Sequence, residues 1–414
     1  MATKTNAETR PRGPAPLARG VSSQILMSSP VPQYLDSPDA VERFLASLTG
    51  VRALALDTEG ASFHRFVDRI YLLQLATDRH EAVIDPLPIG TPTRLGALLA
   101  DPGVEVVLHD ADYDLRLLRQ DYGWQVTGLF DTRVAAQLLG IRAFGLAALL
   151  EQFFALRLDK KHQRADWSMR PLTADMLDYA AQDTRHLLPL RDRLRDALVA
   201  KGRLHWAQEE FRRTEGARWE PDAADAAWMR LKGARDLTRR ELARLRELLQ
   251  WRDAIAAELD RATFRVAGNE LLLDIARTAP ATRDQIAGLK GFPRGMSEGR
   301  IAEALQGIAR ANALPEAELP RFPKAARWDR DPDFDDRVAR LKAVRDRVAA
   351  DLDLDPGVLC SRDRMEAVAR RNPRHLDELA ELPDLRAWQA EVLGTGFIKA
   401  LHGSVPSDSP YKGD

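Results

Sequence analysis

The 414-residue sequence contains a single cysteine, Cys360, which excludes an internal disulfide and a zinc site built from thiolates. We expect Cys360 to act as a small core hydrophobe. No apolar run reaches the roughly 18 residues of a membrane helix, and Arg142 interrupts the apolar stretch LLGIRAFGLAALL. The basic, proline-rich amino terminus also lacks the apolar segment of a secretory signal. These absences predict a cytoplasmic protein without a membrane partner.

Neither sign of charge is in excess. Lys and Arg number 61 against 62 Asp and Glu, so the formal net charge is -1 and no chain-wide positive field marks a DNA-coating protein. Any contact with nucleic acid must therefore be local. The chain is 45% hydrophobic and 30% charged, which excludes wholesale disorder, and its length fits two or three domains. Nothing in the sequence suggests an obligate dimer, so we expect a monomer.

The region from Val51 to about Lys201 combines strand-like and helix-like patterns. Three apolar runs joined by short turns favour an antiparallel meander, namely VRALALD, RIYLLQLAT and EAVID. A predicted helix, TPTRLGALLA, leads to the apolar strand VEVVLHD and then to DYDLRLLRQDYG, which has helical spacing. From Asp131 onward the apolar residues recur mostly at helical spacing. The predicted fold is an α/β domain with a mixed sheet and flanking helices.

The remainder of the chain is predicted to be helical and repeats itself. WRDAIAAELD, LLLDIARTAP and DQIAGLKGF have counterparts about 90 to 95 residues later in VRDRVAADLD, RMEAVARRNP and DELAELPDL. This offset indicates two small all-α domains, each with a short extended piece after its first helix, rather than a repeat array. The predicted segments are a disordered tail (1–29), the α/β domain (30–212), two helical domains (223–314 and 333–404), a linker between them (315–332) and a frayed tail (405–414).

Acidic residues follow two of the predicted strands. Asp57 and Glu59 end the first strand, and the alternation of a strand places them on the same side. Asp110, Asp112 and Asp114 follow VEVVL, and Asp114 lies at the start of a predicted helix. Because neighbouring strands are about 5 Å apart, carboxylates that end both strands can share one site. Taken singly, these acids also suit a solvated strand end or a helix amino terminus.

Tyr179 and Asp183 are four residues apart and share one face of a predicted helix. Alone, the pair also suits a half-buried aromatic and a surface acid. Together, Asp57, Glu59, Asp114 and Asp183 form the carboxylate set that a two-metal phosphodiester hydrolase requires, and their oxygens suit two Mg²⁺ or Mn²⁺ ions. Tyr179 would then hold the attacking water by a hydrogen bond, since its usual pKa near 10 suits orientation better than strong base catalysis.

The order of these motifs resembles a known family. Asp57-Thr58-Glu59, His109 to Asp114-Leu115, and Tyr179 to Asp183 resemble the three exonuclease motifs of the DEDD superfamily, tyrosine subtype. The stretches FDTRVAAQLLG, KKHQRADWSMRPL and YAAQDTRHLLPL are similar to the ribonuclease D family in particular. The two helical segments resemble a tandem pair of helicase and ribonuclease D C-terminal (HRDC) domains, so the resemblance covers about residues 30 to 405.

The resemblance implies a ribonuclease-H-like exonuclease domain that hydrolyses RNA from the 3′ end with divalent metal ions and releases 5′-mononucleotides. It further implies a role in maturing transfer-RNA 3′ ends, so the expected partners are transfer-RNA precursors with 3′ extensions. Asp57, Glu59, Asp114 and Asp183 would be the metal ligands, and Tyr179 would orient the water. Because Asp110 and Asp112 flank the second motif, the choice of Asp114 depends on its following leucine and helix.

A short basic run is a candidate for substrate binding. Lys160, Lys161 and Arg164, together with Gln163 and Trp167, suit phosphate contacts and a stacking face for single-stranded bases. The alternative is a solvated turn with Trp167 packed into the core. The resemblance favours a binding role for Lys161 and Gln163.

Two further polar residues lie near the predicted strand ends. His109 would touch substrate or metal, although a core histidine bonded to the backbone is the favoured alternative. Gln74 is alone among apolar neighbours in YLLQLAT and is expected to be a buried group that needs hydrogen-bond partners. We expect it to support the site from behind.

Two other functions stay open from the residues alone. A 3′→5′ exonuclease for single-stranded DNA would use the same acids, because the contacts that sense a 2′-hydroxyl cannot be placed from the sequence. A non-catalytic nucleic-acid-binding adaptor is disfavoured, because all four acids and the tyrosine are present. The helical domains are expected to add binding surface.

Overall fold

The computed structural model describes residues 32–159, 161–219, 227–323 and 331–403. The predicted tails, Lys160 and part of the predicted linker lie outside these ranges. Within them, no helix combines the length and the apolar character needed to cross a membrane.

A six-stranded mixed sheet organises the described part of the amino-terminal half. The strands are β1 (Gln33–Leu35), β2 (Ala53–Glu59), β3 (Leu72–Ala76), β4 (Glu81–Ile84), β5 (Glu105–Leu108) and β6 (Leu129–Asp131). Their order across the sheet is β1-β4-β3-β2-β5-β6. β2, β3 and β4 form the predicted antiparallel meander, and β5 lies parallel to β2. The predicted fold class, a mixed sheet with flanking helices followed by helical domains, is confirmed.

The two edge strands, β1 and β6, were not predicted from the sequence. Each has three residues, which is too short for a period of two to be recognised. β1 pairs in parallel with β4, and β6 pairs in parallel with β5. Asp131, where the sequence suggests that helix begins, is both the last residue of β6 and the N-cap of the next helix.

Helices pack around this sheet. They are α1 (Pro38–Ser47), α2 (Pro86–Ile89), α3 (Thr93–Leu99), α4 (Asp112–Tyr122), α5 (Thr132–Leu138), α6 (Leu146–Phe154), α7 (Ala174–Arg185), α8 (Leu187–Ala200) and α9 (Leu204–Glu215). The predicted helices TPTRLGALLA and DYDLRLLRQDYG correspond to α3 and α4. The long helical stretch after Thr173 is divided at His186 into α7 and α8.

The carboxyl-terminal half contains two helical regions with the same succession of helix lengths. The first helical region comprises α10 (Ala227–Arg230), α11 (Arg239–Glu258), α12 (Thr263–Val266), α13 (Asn269–Thr278), α14 (Arg283–Ala287) and α15 (Glu298–Ala313). The second comprises α16 (Phe334–Leu352), α17 (Pro356–Leu359), α18 (Arg362–Arg371), α19 (Leu376–Ala380) and α20 (Ala387–His402). From α11 the helices have 20, 4, 10, 5 and 16 residues, and from α16 they have 19, 4, 10, 5 and 16. The short extended piece expected in each repeat is instead a four-residue helix, α12 or α17.

The second helical region shares a hydrophobic core with the sheet domain, whereas the first has a core of its own. Trp206 of α9 stacks on Trp388 of α20 with ring centroids 4.9 Å apart. The Glu209 carboxylate accepts the backbone N–H groups of Ala387 and Trp388 at 2.7 and 3.1 Å, which satisfies two donors at the start of α20. Cys360 is buried in this shared core, as expected.

Gly140 marks the closest approach of the sheet domain to the second helical region. Its φ is +84°, and a β-carbon added there would overlap the carbonyl oxygen of Asp353. Only glycine therefore fits, both for its backbone angle and for the space beside it.

We expect Gly140→Ala to loosen this contact. Gly50 is a matched control, because its φ is +82° and an added β-carbon would meet nothing within 4 Å. Both substitutions should cost about 1 kcal/mol for the left-handed backbone, and only Gly140→Ala should lose a further 1–3 kcal/mol, roughly, through overpacking. Urea unfolding of the two variants measures the difference. Equal losses would show that the contact with Asp353 is unimportant.

Candidate active site

The acids predicted at the end of β2 lie on one face of the sheet. Asp57 and Glu59 flank Thr58, and in the antiparallel register they lie opposite Gln74 and Leu72 of β3. Both carboxylates are half-buried rather than fully solvated. The strand therefore places two carboxylates next to each other on one face of the sheet.

The three acids between β5 and α4 have different surroundings. Asp110 and Asp112 are exposed, and each pairs with an arginine. Asp114 is 6% exposed, and its Oδ1 accepts the backbone N–H of Thr58 at 3.1 Å and the Thr58 hydroxyl at 2.5 Å. Of the three, Asp114 is the acid held directly against β2.

Asp131, which the sequence analysis did not single out, shapes the turn that leads to Asp114. Its buried carboxylate accepts the backbone N–H groups of Asp110 and Ala111 at 3.1 and 2.9 Å. The same carboxylate caps α5 through the N–H groups of Arg133 and Val134 at 2.8 and 3.2 Å. An aspartate before a helical run is a recognisable N-cap signal. Its partners in the earlier turn follow from the fold and not from the local sequence.

Helix α7 lies across the same face as the β2 acids. The Thr173 hydroxyl caps its first turn by accepting the backbone N–H of the third helical residue at 3.2 Å. Ala180 and Ala181 are buried against side chains of β3 and β4, and their small size lets the helix backbone approach the sheet closely. This packing places Tyr179 and Asp183 beside the acids of β2. The two residues share one face of the helix, as their spacing predicted.

Three carboxylates meet between β2 and α7. Asp57, Glu59 and Asp183 each offer an oxygen, and these oxygens all lie within 4.8 Å of one another. Carboxylates at this separation repel one another unless a proton or a cation lies between them. Hard oxygen donors of this kind suit Mg²⁺ or Mn²⁺, so the donor set fits a divalent metal ion.

Burial raises the pKa values of the four acids. Burial is the larger cause for Asp57 and Glu59, and the charges of the neighbouring acids raise both pKa values further, well above the usual range. Burial also raises the pKa of Asp114 to about 7 and that of Asp183 to about 6. The group therefore favours either protonation or a bound cation.

Two rings enclose Tyr179. His162 meets it edge-on with centroids 5.7 Å apart, and Trp167 stacks on it at 6.1 Å. Burial and the charges of Asp183 and Glu59 raise the pKa of the Tyr179 phenol above its ordinary value. A neutral phenol both donates and accepts a hydrogen bond, so this side chain is suited to orienting a water.

Trp167 does not offer a stacking face to nucleic-acid bases, and that part of the sequence interpretation was wrong. It is 2% exposed and packs in a small core with Tyr179. The reason lies in Arg170, which donates to the Asp85 carboxylate at 2.8 Å and to the carbonyl oxygens of Trp167 and Tyr71 at 2.7 and 3.0 Å. These bonds hold the loop down on the sheet.

The other members of the basic run remain at the surface, except that Lys160 lies outside the described residues. Lys161 donates from Nζ to Asp175 at 3.0 Å and is otherwise exposed. Gln163 and Arg164 are exposed. These side chains remain candidates for phosphate contacts.

His109 is held within the sheet domain and does not present a charge. Its Nδ1 lies 2.9 Å from the hydroxyl of Thr132, which in turn donates to the carbonyl of Leu108 at 3.2 Å. Burial lowers the pKa of His109 to about 4, so the ring is neutral. His109 is therefore a core histidine, which was the favoured alternative, although its partner is the Thr132 hydroxyl and not the backbone.

Gln74 is fully buried directly across from Asp57. Neither its Nε2 nor its Oε1 has a hydrogen-bond partner among the described residues. An unpartnered buried amide is unfavourable. The expectation that Gln74 supports the site stays a prediction.

Comparison with known proteins assigns both halves of the chain. A family model described as 3′-5′ exonuclease matches residues 32–199, and the HRDC domain model matches residues 241–308 and 334–401. The chain is 30% identical over 389 residues to Ribonuclease D of Granulibacter bethesdensis, covering 93% of this chain and 96% of that protein. It is 32% identical over 356 residues to Ribonuclease D of Gluconacetobacter diazotrophicus, covering 85% and 88%.

A solved structure is similar over nearly the whole length. The crystal structure of Escherichia coli RNase D, described as an exoribonuclease involved in structured RNA processing, is 29% identical. Its TM-score is 0.68, and the match covers 90% of this chain and 99% of that one.

We expect Asp57→Asn to stabilise the metal-free protein at alkaline pH. Acids with raised pKa values bind protons more tightly in the folded state, so their contribution to stability is present below about pH 4 and is lost as pH rises towards 7. Removing one charge should raise the free energy of unfolding at pH 8 in chelator by on the order of 2 kcal/mol.

Thermal unfolding at pH 5 and pH 8 checks this expectation, with Asp178→Asn as the control because Asp178 is an exposed acid on α7, outside the cluster. The gain should be smaller at pH 5 than at pH 8, and adding Mn²⁺ should favour the unmutated protein. A variant that is no more stable than the unmutated protein at pH 8 would contradict mutual repulsion at the site.

We expect Gln74→Leu to stabilise the protein and weaken its metal binding. Removing an unpartnered buried amide should gain about 1 kcal/mol, and the loss of support behind Asp57 should reduce Mn²⁺ affinity by about tenfold or more. Gln389→Leu is the matched control, because Gln389 is equally buried with an unpartnered Nε2, but its Oε1 accepts the Arg386 N–H at 3.1 Å and it lies outside the site. Its replacement should gain less stability and leave Mn²⁺ affinity unchanged. Calorimetric titration with Mn²⁺ and urea unfolding measure both effects. Unchanged Mn²⁺ affinity would rule out the supporting role.

Proposed function

Because this chain belongs to the ribonuclease D family, we propose that it is the 3′→5′ exoribonuclease that trims transfer-RNA precursors, releasing 5′-mononucleotides. The hydrolytic, exoribonucleolytic activity follows from the family. Transfer RNA as the substrate is the finer part of the proposal. The observation that carries the proposed hydrolysis is the meeting of three carboxylate oxygens within 4.8 Å beside a neutral tyrosine.

In this proposal Asp57, Glu59, Asp114 and Asp183 hold two divalent cations, Mg²⁺ or Mn²⁺. When bound, such a pair of ions lowers the pKa of the attacking water and stabilises charge on the attacking and leaving oxygens. Thr58 bonds Oδ1 of Asp114 through two hydrogen bonds, which fixes the carboxylate, so Oδ2 is the atom that would be available to a cation. Asp131 supports the same acid by fixing the turn before α4.

Tyr179 orients the nucleophile. Its hydroxyl accepts a hydrogen bond from the water and so aims the water oxygen at the terminal phosphorus. A bond forms between that oxygen and phosphorus as the water gives up a proton. The bond from phosphorus to the O3′ atom of the preceding nucleotide breaks, and O3′ takes up a proton, so protons balance over the step. The products are a 5′-mononucleotide and an RNA with a new 3′-hydroxyl. The rings of His162 and Trp167 restrict the tyrosine to one orientation throughout.

Exposed polar side chains next to the site would grip the RNA backbone. Lys161, Gln163 and Arg164 follow one another in the loop that also contains His162, and Lys160 precedes them in sequence. Phosphate contacts of this kind position a strand without reading its sequence. The balanced net charge of the chain agrees with RNA binding through a small local group of side chains.

The decisive experiment offers the protein a 5′-labelled transfer RNA with a short 3′ extension and resolves the products at single-nucleotide spacing. The unmutated protein should shorten the RNA from its 3′ end in Mg²⁺ or Mn²⁺ and leave it intact in chelator. Asp183→Asn should abolish cleavage. Tyr179→Phe should lower kcat by about 100-fold with little change in KM, because it removes a transition-state contact.

Asp178→Asn and Tyr122→Phe are the matched controls, since each removes the same group outside the site, Asp178 on α7 and Tyr122 at the end of α4. Cleavage by Asp183→Asn at the unmutated rate would refute the assignment of the site. A matched single-stranded DNA tested in parallel shows which polymer is preferred. Faster cleavage of the DNA would mean that DNA, not RNA, is the substrate. Bound but uncut RNA under every metal condition would indicate an adaptor.

A further inference from the structure

Two exposed phenylalanines meet where the sheet domain contacts the first helical region. Phe63 lies in the loop after β2 and Phe264 lies in α12, and their rings meet edge to face with centroids 6.2 Å apart. Arg164 lies over the Phe63 ring at 5.4 Å, and Arg265 lies over the Phe264 ring at 6.0 Å. We call these four residues the aromatic seam.

The rings of the aromatic seam do not provide the main apolar contact between the sheet domain and the first helical region. Phe63 is 46% exposed and Phe264 is 52% exposed, although both lie at a contact between domains. Phe66 provides the apolar contact instead, because it packs against the core of the first helical region. Two large rings therefore remain open to solvent at a position where ordinary domain packing would have covered them.

Hydrogen bonds between the sheet domain and the first helical region hold the aromatic seam in place. The Nε of Arg265 donates to the carbonyl of Phe63 at 2.6 Å, and the N–H of Ala262 donates to the carbonyl of His64 at 3.1 Å. Arg65 adds an ion pair with Asp260 at 3.3 Å. The ring positions are thus fixed by backbone contacts, so a ligand that stacks on them would meet a preorganised surface.

The charges of the seam suit an anionic polymer. Among the described residues no carboxylate pairs with the guanidinium of Arg164 or with that of Arg265. Each of these cations instead lies over an exposed aromatic face. Open rings combined with unpaired arginines are the features by which proteins bind single-stranded nucleic acid, since bases stack on the rings and phosphates meet the cations.

The seam is continuous with the candidate active site along two segments of the chain. Phe63 is four residues beyond Glu59, and the intervening Ala61 packs in the same small core as Tyr179. Arg164 is two residues beyond His162, whose ring contacts Tyr179. His64 joins these segments through its Nε2, which lies 3.1 Å from the carbonyl oxygen of Arg164.

We propose that the aromatic seam is a base-stacking subsite for the unpaired 3′ segment of the RNA, a few nucleotides before the bond that is cut. This rests on the proposed function and extends it, because it names the residues that hold the strand behind the reacting phosphate. The first helical region thereby contributes Phe264 and Arg265 to the substrate path. A substrate with a longer unpaired 3′ end reaches the subsite, and a mononucleotide ester does not.

Equilibrium binding of a 5′-fluorescent single-stranded RNA, measured in chelator, tests the proposal directly. Phe63→Ala and Phe264→Ala should each weaken binding by roughly 5-fold to 150-fold, the loss expected for one stacked base. Phe63→Trp should bind as the unmutated protein does, because it retains an aromatic face. Val199→Ala is the matched control for trimming an exposed apolar side chain, since Val199 is 57% exposed on α8.

A series of RNAs with one abasic nucleotide at successive positions from the 3′ end identifies the contact. The unmutated protein should bind the RNA weakly when one particular position lacks its base. Phe63→Ala should have lost sensitivity at that position while keeping its sensitivity elsewhere. If both alanine variants bind intact RNA within about twofold of the unmutated protein, or retain every abasic sensitivity, the subsite is refuted.

Hydrolysis of bis(p-nitrophenyl) phosphate separates the subsite from the proposed function. This small diester needs only the carboxylates, so the seam variants should hydrolyse it at the unmutated rate while their KM for RNA rises. An unmutated protein that cleaves neither substrate would overturn the proposed function. Cleavage of both substrates by the seam variants with unchanged KM would overturn the subsite alone.

Discussion

Repulsion among like charges is the constraint on which this structure depends. Asp57, Glu59 and Asp183 bring carboxylate oxygens within 4.8 Å of one another, and Asp114 adds its charge beside them. In water such groups would separate, so the fold must hold them from outside the cluster. The sheet holds two of them on one strand, and two helices bring one each. The rest of the sheet domain can be understood as the means of keeping these three elements together.

Small and neutral groups provide that restraint. Thr58 bonds Asp114 with a backbone N–H and a hydroxyl, neither of which adds a full charge. Ala180 and Ala181 let α7 approach the sheet closely enough for Asp183 to reach the site. Because no cationic side chain in the described ranges pairs with the three acids, their affinity for an external cation is preserved.

The sequence predicted the site better than it predicted its supports. Period-two and period-3.6 patterns are local, so they located β2, β5, α4 and α7, and with them the acids and Tyr179. The edge strands were too short for such a pattern to be recognised, and the second role of Asp131 depends on a turn about twenty residues earlier in the chain. The orientation of Trp167 depends on Arg170 and Asp85, which are distant in sequence and meet only in the folded domain. Neither Phe63 nor Phe264 belongs to a motif, and their meeting follows from how two domains pack.

The core shared by the sheet domain and the second helical region has a consequence for synthesis of the chain. Trp206 and Phe211 of the sheet domain belong to the same buried cluster as Phe397 and Leu401, which lie near the end of α20. A growing polypeptide therefore cannot complete this core until α20 has left the ribosome. Until then the sheet domain displays apolar surface of the kind that chaperones recognise. Chains that terminate before α20 keep that surface exposed and are substrates for proteolysis, so a stable nuclease requires synthesis through α20.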